Sequence, residues 1–470
     1  MLASLSAPFS AFWLTLVACG EGPGSLPERA TGGGAGMSAA SAGSANVAGS
    51  AGAAGSAGVA GSTESTGGQP NGAAGTDGSP GTGVTAGTAG SGALGGAGNP
   101  SGGAPAGGNG GQTSAPYPPV AEVLDVLARA NQQFADKWPD TGAPIVVGGT
   151  SRQSNIWTRA VYYEGLLNLY AVDPKPAYKD YALAWGNAHS WQLRNNDPST
   201  TNADNQCAGQ PFIDLYNLDG AKDAVRIAAI KTSIDGMVSS KVANVWTWVD
   251  AIQMAMPVFA RLGVMNPSGG YFVAMYALYS HPKKTLALYN TTDHLWWRDT
   301  PWKNQRTPAG KQVYWSRGNG WVFAALARVL DLLPATEPHR AEYLQDFTEM
   351  AAALKGIQRE DGFWNPSLGD PTHFGGPEAS GTSLFIYGMA WGVRKGLLDE
   401  PTYAPIIVKA WKSLVATSLQ PTGFLGYMQS TGDDPGDGQP LSATKVPDFE
   451  DYGVGCFLLG GSELAKLAAR

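Results

Sequence analysis

The chain has 470 residues and a formal net charge of −7, from 38 acidic and 31 basic side chains. This balance leaves no basic surface for phosphates and argues against a nucleic-acid-binding protein. Every tryptophan except Trp13 lies after residue 116, so a stretch of small residues precedes a part long enough for one large domain.

Residues 1–19 predict an export signal. The apolar run MLASLSAPFSAFWLTLVAC is too short for a comfortable membrane span and is typical of a signal-peptide core. It ends in LVACG, which resembles a bacterial lipoprotein lipobox, although no Lys or Arg precedes the run. We therefore expect an exported bacterial lipoprotein, periplasmic or at the cell surface, that is acylated at Cys19 and held at a membrane only by that lipid. An uncleaved leader is the alternative.

Residues 20–116 consist mainly of Gly, Ala, Ser and Thr. Such a segment cannot bury enough apolar surface to offset its ordering entropy, so we expect a flexible, low-complexity linker. The remaining cysteines are Cys207 and Cys456. They could pair in an exported protein, but two cysteines alone do not decide this, and buried free thiols are the expectation.

Residues 117–470 are predicted to be all-α, because helical periodicity recurs and the alternation typical of strands is scarce. Start and stop signals such as Asp219-Gly220 and Pro334 separate the predicted helices. Twelve helices are predicted, near 119–138, 155–172, 176–195, 205–218, 220–239, 248–262, 267–282, 317–333, 337–357, 379–397, 401–418 and 451–468.

The connections between these helices alternate in length. Those after the even-numbered helices are short, and those after the odd-numbered helices are mostly long. An up-and-down array with this alternation places all the long loops at one end. Closed into a ring, six such hairpins form an (α/α)6 barrel with its functional loops at one mouth. An open solenoid is the rival architecture, but no fixed-period repeat supports it.

Two aspartates lie at predicted helix entries on the long-loop end. Asp204 precedes the fourth helix and Asp250 starts the sixth. Each has an ordinary explanation as a helix N-cap, which contributes roughly 1 kcal/mol. Paired carboxylates at one mouth are also the usual acid and base of glycosidic-bond chemistry. Aromatic walls near Asp250 would raise its pKa by desolvation.

The same loops hold the groups that a sugar acid needs. Arg298 and Arg317 offer planar cations for a carboxylate. Apolar faces for a sugar ring are expected from Trp248, Trp297 and Trp321. The alternatives are core tryptophans and a helix-start arginine. Because a cation is unfavourable beside a helix N-terminus, Arg317 predicts an anionic partner.

Other chemistries lack their sequence motifs. The chain has no H-E-x-x-H and no Cys/His cluster, and residues 117–470 contain neither G-x-S-x-G nor a phosphate-binding G-x-x-x-x-G-K-[ST] loop. We therefore expect no metal and no cofactor. His294 lies on the long-loop end and is a candidate substrate contact, although a lone loop histidine is more often incidental.

Four segments resemble glycoside hydrolase family 105, the unsaturated rhamnogalacturonyl hydrolases, which are related to the family 88 unsaturated glucuronyl hydrolases. They are WTWVDAIQMAMPVFARLG, VYWSRGNGWVFAALARVL, DGFWNPSLGDP with PEASGTSLFIYGMAWGVRKGLL, and DYGVGCFLLGGSEL. The resemblance spans essentially all of 118–470. It implies a monomeric (α/α)6 barrel without metal, acting on lyase-generated pectin or rhamnogalacturonan oligosaccharides that end in a 4,5-unsaturated uronic acid.

The resemblance also implies a mechanism, in which C4 of the unsaturated ring is protonated, water adds at C5, and the resulting hemiketal opens to release the next sugar. It gives Asp250 the roles of proton donor and water activator, and gives Asp204 those of binding sugar hydroxyls and tuning Asp250. Trp248, Arg317 and Trp321 fall on substrate-binding positions. Arg298 is a departure, since better-known members often have a histidine near it.

Alternatives remain open at this point. An unsaturated glucuronyl hydrolase for glycosaminoglycan-type oligosaccharides and a conventional inverting glycosidase are the enzymatic ones. A catalytically inactive, surface-anchored carbohydrate-binding protein is the other. The presence of both Asp204 and Asp250 argues against the inactive protein. We predict rhamnose as the sugar released.

Overall fold

The computed structural model describes residues 117–470, so the predicted signal, Cys19 and the linker lie outside the described part. The helices are α1 (Val120–Lys137), α2 (Trp157–Tyr170), α3 (Pro176–Ala188), α4 (Ala203–Gln206), α5 (Gly209–Leu218), α6 (Val225–Ser239), α7 (Asp250–Met265), α8 (Tyr271–Ser280), α9 (Ser316–Leu332), α10 (Arg340–Gly356), α11 (Ala379–Arg394), α12 (Glu400–Ser413) and α13 (Asp451–Ala468). Short π-helical turns, His281–Thr285 and Leu414–Ser418, extend α8 and α12.

The helices form two concentric layers. The inner layer closes on itself: α2 packs against α5, α5 and α4 against α7, α7 against α9, α9 against α11, α11 against α13, and α13 against α2. The outer layer consists of α1, α3, α6, α8, α10 and α12, each packed on an inner helix or its neighbour. This closed ring of six hairpins confirms the predicted (α/α)6 barrel.

The inner helices are apolar on almost every side, because they face both the barrel axis and the outer layer. In α9 every residue from Ser316 to Leu330 is buried, and α11 is buried from Ala379 to Val393. Burial on all sides is expected of a helix inside a core rather than on its surface. Where α2 crosses α13, Gly165 faces Gly455, and a Cβ on either would collide with the backbone of the other helix.

All inner helices begin at the same end of the barrel, which we call the N-terminal mouth. The long connections lie there: 138–156, 189–202, 240–249, 281–315, 357–378 and 414–450. The short connections lie at the opposite end, the C-terminal mouth. Since each helix N-terminus has a partial positive charge, six converging N-termini favour anions at the N-terminal mouth.

The structure departs from the predicted elements in three places. The third helix, predicted near 176–195, ends at Ala188, and Arg194–Asn196 form a 3-10 turn instead. The predicted fourth helix is split into α4 and α5, because Pro211 has no N–H for the Cys207 carbonyl, which accepts from Gln210 instead at 3.0 Å. Two short antiparallel hairpins were not predicted: β1 (Ile145–Val147) with β2 (Thr150–Arg152), and β3 (Tyr289–Asn290) with β4 (Leu295–Trp296). Strands of two or three residues are too short to show alternation.

Cys207 and Cys456 are buried free thiols, as predicted. Within residues 117–470, no helix combines the length and apolar character needed to cross a membrane.

Candidate active site

Asp204 and Asp250 meet at the N-terminal mouth, where α4 packs on α7. Neither is an N-cap. The cap of α4 is Asn202, whose side chain accepts from the Asn205 N–H at 3.2 Å, and Asp250 is the first residue of α7, after Val249. The ordinary explanation of both aspartates as helix caps is therefore wrong.

Arg298 lies beside Asp250 because two loops pair as a short antiparallel ladder. Trp248 pairs with Asp299, and the Val249 N–H donates to the Arg298 carbonyl at 2.9 Å. This register places Arg298 Nε 3.4 Å from Asp250 Oδ2, while Arg298 Nη1 lies 2.6 Å from Asp299 Oδ2. We call Asp204, Asp250 and Arg298 the mouth cluster.

The mouth cluster contains buried polar atoms without hydrogen-bond partners in the protein. Asp250 is 8 % exposed, and its Oδ2 and Arg298 Nε are both buried and make no hydrogen bond within the protein, although they face each other as an ion pair at 3.4 Å. A buried polar atom without a partner costs free energy, so folded proteins rarely retain one without a function. Because Arg298 keeps 22 % of its side chain exposed, a ligand can reach its guanidinium.

Burial and mutual repulsion shift the pKa values of the two aspartates upward. Burial, and then the charge of Asp250, raises the pKa of Asp204 to about 7, against the opposing effect of Arg298. Burial also raises the pKa of Asp250, opposed by Arg298 and Arg317. Because each carboxylate is at least partly buried and the charge of Asp250 acts on Asp204, the two do not both ionise easily, and the pair keeps a proton near neutral pH.

Arg317 is fixed below the mouth cluster. It is 1 % exposed, and its guanidinium lies over the rings of Trp315 and Tyr452, at 4.4 and 4.9 Å. Its Nη1 donates to the Tyr452 hydroxyl and its Nη2 to the Ser430 carbonyl, both at 2.8 Å. Its charge opposes the burial-driven rise in pKa of Asp250 and of buried Glu378, the N-cap of α11. These carboxylates are the anions that offset its charge; direct contact with substrate stays a prediction.

The 428–450 loop contributes residues that the sequence did not reveal. Gln429 accepts from Trp315 Nε1 at 2.9 Å and donates to the carbonyls of Asp434 and Pro435, which fixes the loop against α9. The loop brings Asp433 to 3.8 Å from Arg298 Nη1. Arg298 therefore meets three carboxylates, those of Asp250, Asp299 and Asp433.

The predicted aromatic contacts differ in accessibility. Trp248 and Trp297 are partly exposed, and Trp297 Nε1 donates to Gln312 at 3.1 Å. Trp321 is fully buried, edge-on to Trp157 with ring centroids 6.3 Å apart. All three stay predictions as sugar contacts, and Trp321 would need its neighbours to move.

His294 lies on the turn of the β3–β4 hairpin and contacts α10. Its Nδ1 lies 3.1 Å from Glu349 of α10 and 3.2 Å from the Tyr289 hydroxyl. These contacts dock the hairpin on α10. A role in substrate binding stays a prediction.

Among residues 117–470, Asp433, Asp434 and Asp437 form the one group of three acidic side chains close enough to share a metal ion. Two of the three, Asp434 and Asp437, already accept hydrogen bonds from the backbone of their own turn, Asp434 Oδ1 from the Gly436 N–H. Asp437 Oδ2 accepts from the N–H groups of Asp433 and Asp434 at 2.6 and 2.8 Å. The group is thus a turn-forming network.

The mouth cluster combines a carboxyl pair that retains a proton with a cation that a ligand can reach. Such a pair can give a proton and take one back near neutral pH. The guanidinium, together with the six helix N-termini, selects an anionic substrate. In an (α/α)6 barrel this arrangement defines an acid–base glycoside hydrolase for acidic sugars.

The comparison with known families agrees. Residues 127–468 match the model of Glycosyl Hydrolase Family 88. The chain belongs to this family, so it is a glycoside hydrolase of the group that acts on oligosaccharides ending in an unsaturated uronic acid, as the resemblance implied.

Two curated relatives and one solved structure are similar to this chain, each over a different share of its length. The unsaturated 3S-rhamnoglycuronyl hydrolase of Formosa agariphila is 30% identical over 330 residues, 66% of this chain and 84% of the relative. The enzyme of the same name from an Alteromonas species is 31% identical over 222 residues, 47% of this chain and 51% of the relative. A family 88 structure from Bacteroides vulgatus has a TM-score of 0.68 and 31% identity, covering 74% of this chain and 100% of that one.

Proposed function

We propose that the enzyme removes the 4,5-unsaturated uronic acid from the non-reducing end of lyase-generated oligosaccharides in which rhamnose is the next sugar. The observation that supports it most is the mouth cluster, in which the buried Asp250 Oδ2 makes no hydrogen bond within the protein and forms an ion pair with Arg298 Nε at 3.4 Å. The rhamnose assignment is supported by the names of the two curated relatives, both rhamnoglycuronyl hydrolases. A rhamnogalacturonan-type fragment remains the proposed source.

Arg298 is proposed to bind the carboxylate of the unsaturated ring. Its guanidinium is partly exposed and pairs with carboxylates of the protein, which supports a role in binding a carboxylate of the substrate. Of these carboxylates Asp433 is the most exposed, at 52 % of its side chain, and is the one that a substrate would displace. Partly exposed Trp248 lies on the adjacent strand segment and offers a flat apolar surface to the sugar.

Asp250 is proposed to give its proton to C4 of the unsaturated ring. Positive charge then develops at C5 and the ring oxygen, and the Asp250 carboxylate takes a proton from the water that adds at C5. The reaction breaks the C4=C5 π bond and one O–H bond of water and forms one C–H and one C–O bond, which gives a hemiketal at C5. The hemiketal opens to a ketone and leaves a hemiacetal at C1, whose hydroxyl proton passes to the glycosidic oxygen as the neighbouring sugar departs. Asp204, whose pKa is raised to about 7, is proposed to share the pair's proton with Asp250 and to bond sugar hydroxyls.

The proposed reaction destroys the conjugation between the double bond and the carboxylate. Purified enzyme incubated with a lyase-digested rhamnogalacturonan should therefore lower the ultraviolet absorbance while releasing rhamnose-ended products. Sugar release with the absorbance intact would establish ordinary hydrolysis instead. Digests of a rhamnoglucuronan and of a glycosaminoglycan, run in parallel, test the rhamnose assignment, which fails if the glycosaminoglycan digest is preferred.

The location is a separate proposal. We propose a lipoprotein acylated at Cys19, with residues 20–116 as a tether between membrane and barrel, on the grounds of the lipobox-like LVACG and the Gly/Ala/Ser composition. Incorporation of a labelled fatty acid by the full chain, lost in Cys19→Ala, would support it. Equal labelling of both would contradict it. A monomeric barrel is likewise proposed, and sedimentation of residues 117–470 tests it.

A further inference from the structure

Glu164 is a fully buried carboxylate in the middle of inner helix α2. Its Oε2 accepts from Gln253 Nε2 at 3.0 Å and pairs with Arg328 Nη1 of α9. Its Oε1 accepts from the Cys207 thiol, with Sγ at 3.4 Å. One side chain thus contacts groups from three other segments of the inner ring.

Two of these contacts lie one helical turn below the mouth cluster. Cys207 is three residues after Asp204, and Gln253 is three residues after Asp250. In a helix, residues three apart share a side, so movement of one shifts the other. Glu164 therefore links the segment that bears Asp204 to the helix that bears Asp250.

The link matters because α4 is only four residues long and has little helical stability of its own. Its position depends on side-chain contacts, such as Gln206 Nε2 to Ser233 Oγ at 2.9 Å on the outer side. On the inner side, Cys207 to Glu164 is the corresponding contact.

We propose that Glu164 is a positioning residue that sets the separation of Asp204 and Asp250 through Cys207 and Gln253. The inference rests on the proposed function, which makes these two aspartates the reacting pair. Burial raises the pKa of Glu164, and the charges of Arg328 on α9 and Arg261 on α7 oppose this rise. The positioning role rests on the contacts themselves, in which one oxygen of Glu164 faces Cys207 and the other faces Gln253 and Arg328.

The test leaves Glu164 in place, because its removal would strand Arg328 as a buried unpaired cation. Cys207→Ala removes one linking donor and Gln253→Met removes the other. Cys456→Ala, which alters an equally buried thiol on α13, is the matched control. Folding of each variant is checked by circular dichroism and thermal melting, and kcat and KM are measured across pH.

Separation of the two aspartates weakens the repulsion that raises the pKa of Asp204, and it admits water, so both effects lower that pKa. We expect Cys207→Ala and Gln253→Met to lower kcat about fivefold at pH 7, to change KM less than about twofold, and to move the alkaline limb of kcat down by about half a pH unit. Cys207→Ser, which keeps a hydrogen-bond donor at this position, should return the alkaline limb of the kcat profile to its position in the native enzyme.

Profiles of Cys207→Ala and Gln253→Met that superimpose on that of Cys456→Ala would overturn the positioning role. If Asp250→Asn is inactive at the same time, only the positioning inference fails. If Asp250→Asn remains active, the proposed function itself fails.

Discussion

The two mouths of the barrel are built from the same inner helices but differ in how their charges are matched. At the C-terminal mouth, a cavity of about 520 Å³ is lined by three acids and three bases, Asp214, Asp331, Glu463, Arg261, Arg328 and Lys466. Arg261 and Asp214 form a two-bonded pair at 2.7 and 2.8 Å, and Lys466 lies 3.1 Å from Glu463. Helix C-termini favour these cations, and every cation has a carboxylate.

The N-terminal mouth has an excess of carboxylates and unpartnered buried atoms. Asp250 Oδ2, Asp299 Oδ1 and Arg298 Nε are all buried and make no hydrogen bond within the protein, although Asp250 Oδ2 and Arg298 Nε form an ion pair at 3.4 Å. At the C-terminal mouth, among the charged residues that line the cavity, Arg328 Nη2 alone is in this state. Unmatched charge, rather than cavity size, therefore marks the reactive end of this barrel.

The largest expected difference between the two mouths is in the loss of turnover when one aspartate at each mouth is replaced by Asn. Asp250→Asn should lower kcat by about 10³-fold, because the proton donor is lost, while substrate binding persists. Asp214→Asn at the other mouth should leave turnover per folded molecule within about twofold and lower thermal stability, because Arg261 loses its partner. Steady-state kinetics and melting curves measure both. Equal loss of turnover in the two variants would contradict the assignment of the reaction to the N-terminal mouth.

Replacing one arginine at each mouth by Gln separates substrate binding from fold stability. Arg298→Gln should lower kcat/KM about 10- to 100-fold, mainly through KM, since a charge-assisted bond to the substrate carboxylate is lost. Arg261→Gln should instead destabilise the fold by about 1–3 kcal/mol and spare KM. Denaturant titration separates the two effects. An unchanged KM in Arg298→Gln would remove Arg298 from carboxylate binding.

The raised pKa of Asp204 predicts how the stability of the fold depends on pH. Its pKa is raised from 3.8 to about 7, so the folded protein holds a proton that the unfolded chain has already lost between those values. Stability due to this group is therefore lost as pH rises through that window. Asp204→Asn should raise Tm by about 1–3 °C at pH 8 and not at pH 4. A gain that is equal at both pH values would contradict the shifted pKa.

The same shift predicts the alkaline limb of the native enzyme. Activity that needs one proton on the Asp204–Asp250 pair should fall as pH rises through about 7. A kcat profile that stays flat to well above this pH would show that the pair need not retain its proton.

The smallest expected effect concerns Asp433. Its carboxylate is half-exposed and 3.8 Å from Arg298, so it competes weakly with a bound anion. Asp433→Asn should lower KM about twofold with kcat unchanged. Asp434→Asn, in the same turn, is the control. A raised KM in Asp433→Asn would indicate that Asp433 binds the sugar directly.

Much of this architecture could be predicted from local pattern. Helical periodicity and the alternation of loop lengths predicted the ring and the mouth where Asp204 and Asp250 meet, because both depend on short segments. Arg298 was predicted near the site, but its pairing beside Val249 depends on a loop-to-loop ladder that no periodicity reveals.

The remaining contacts join residues far apart in the sequence. Asp433 and Ser430 reach the mouth through a loop with no periodic pattern. Glu164 did leave a signal, since it is the one acid in the apolar run VYYEGLLNLY, and Arg328 is likewise the one charge in VFAALARVL. A charge within a fully apolar helix predicts a buried partner, but the sequence does not identify it.

The most direct test of the central claim is a crystal structure of Asp250→Asn with an unsaturated uronyl-rhamnose disaccharide. We expect the unsaturated ring to lie at the N-terminal mouth, with its carboxylate bound to the Arg298 guanidinium and its C4 facing position 250. A disaccharide bound instead in the cavity at the C-terminal mouth, among Asp214, Arg261 and Lys466, would contradict it.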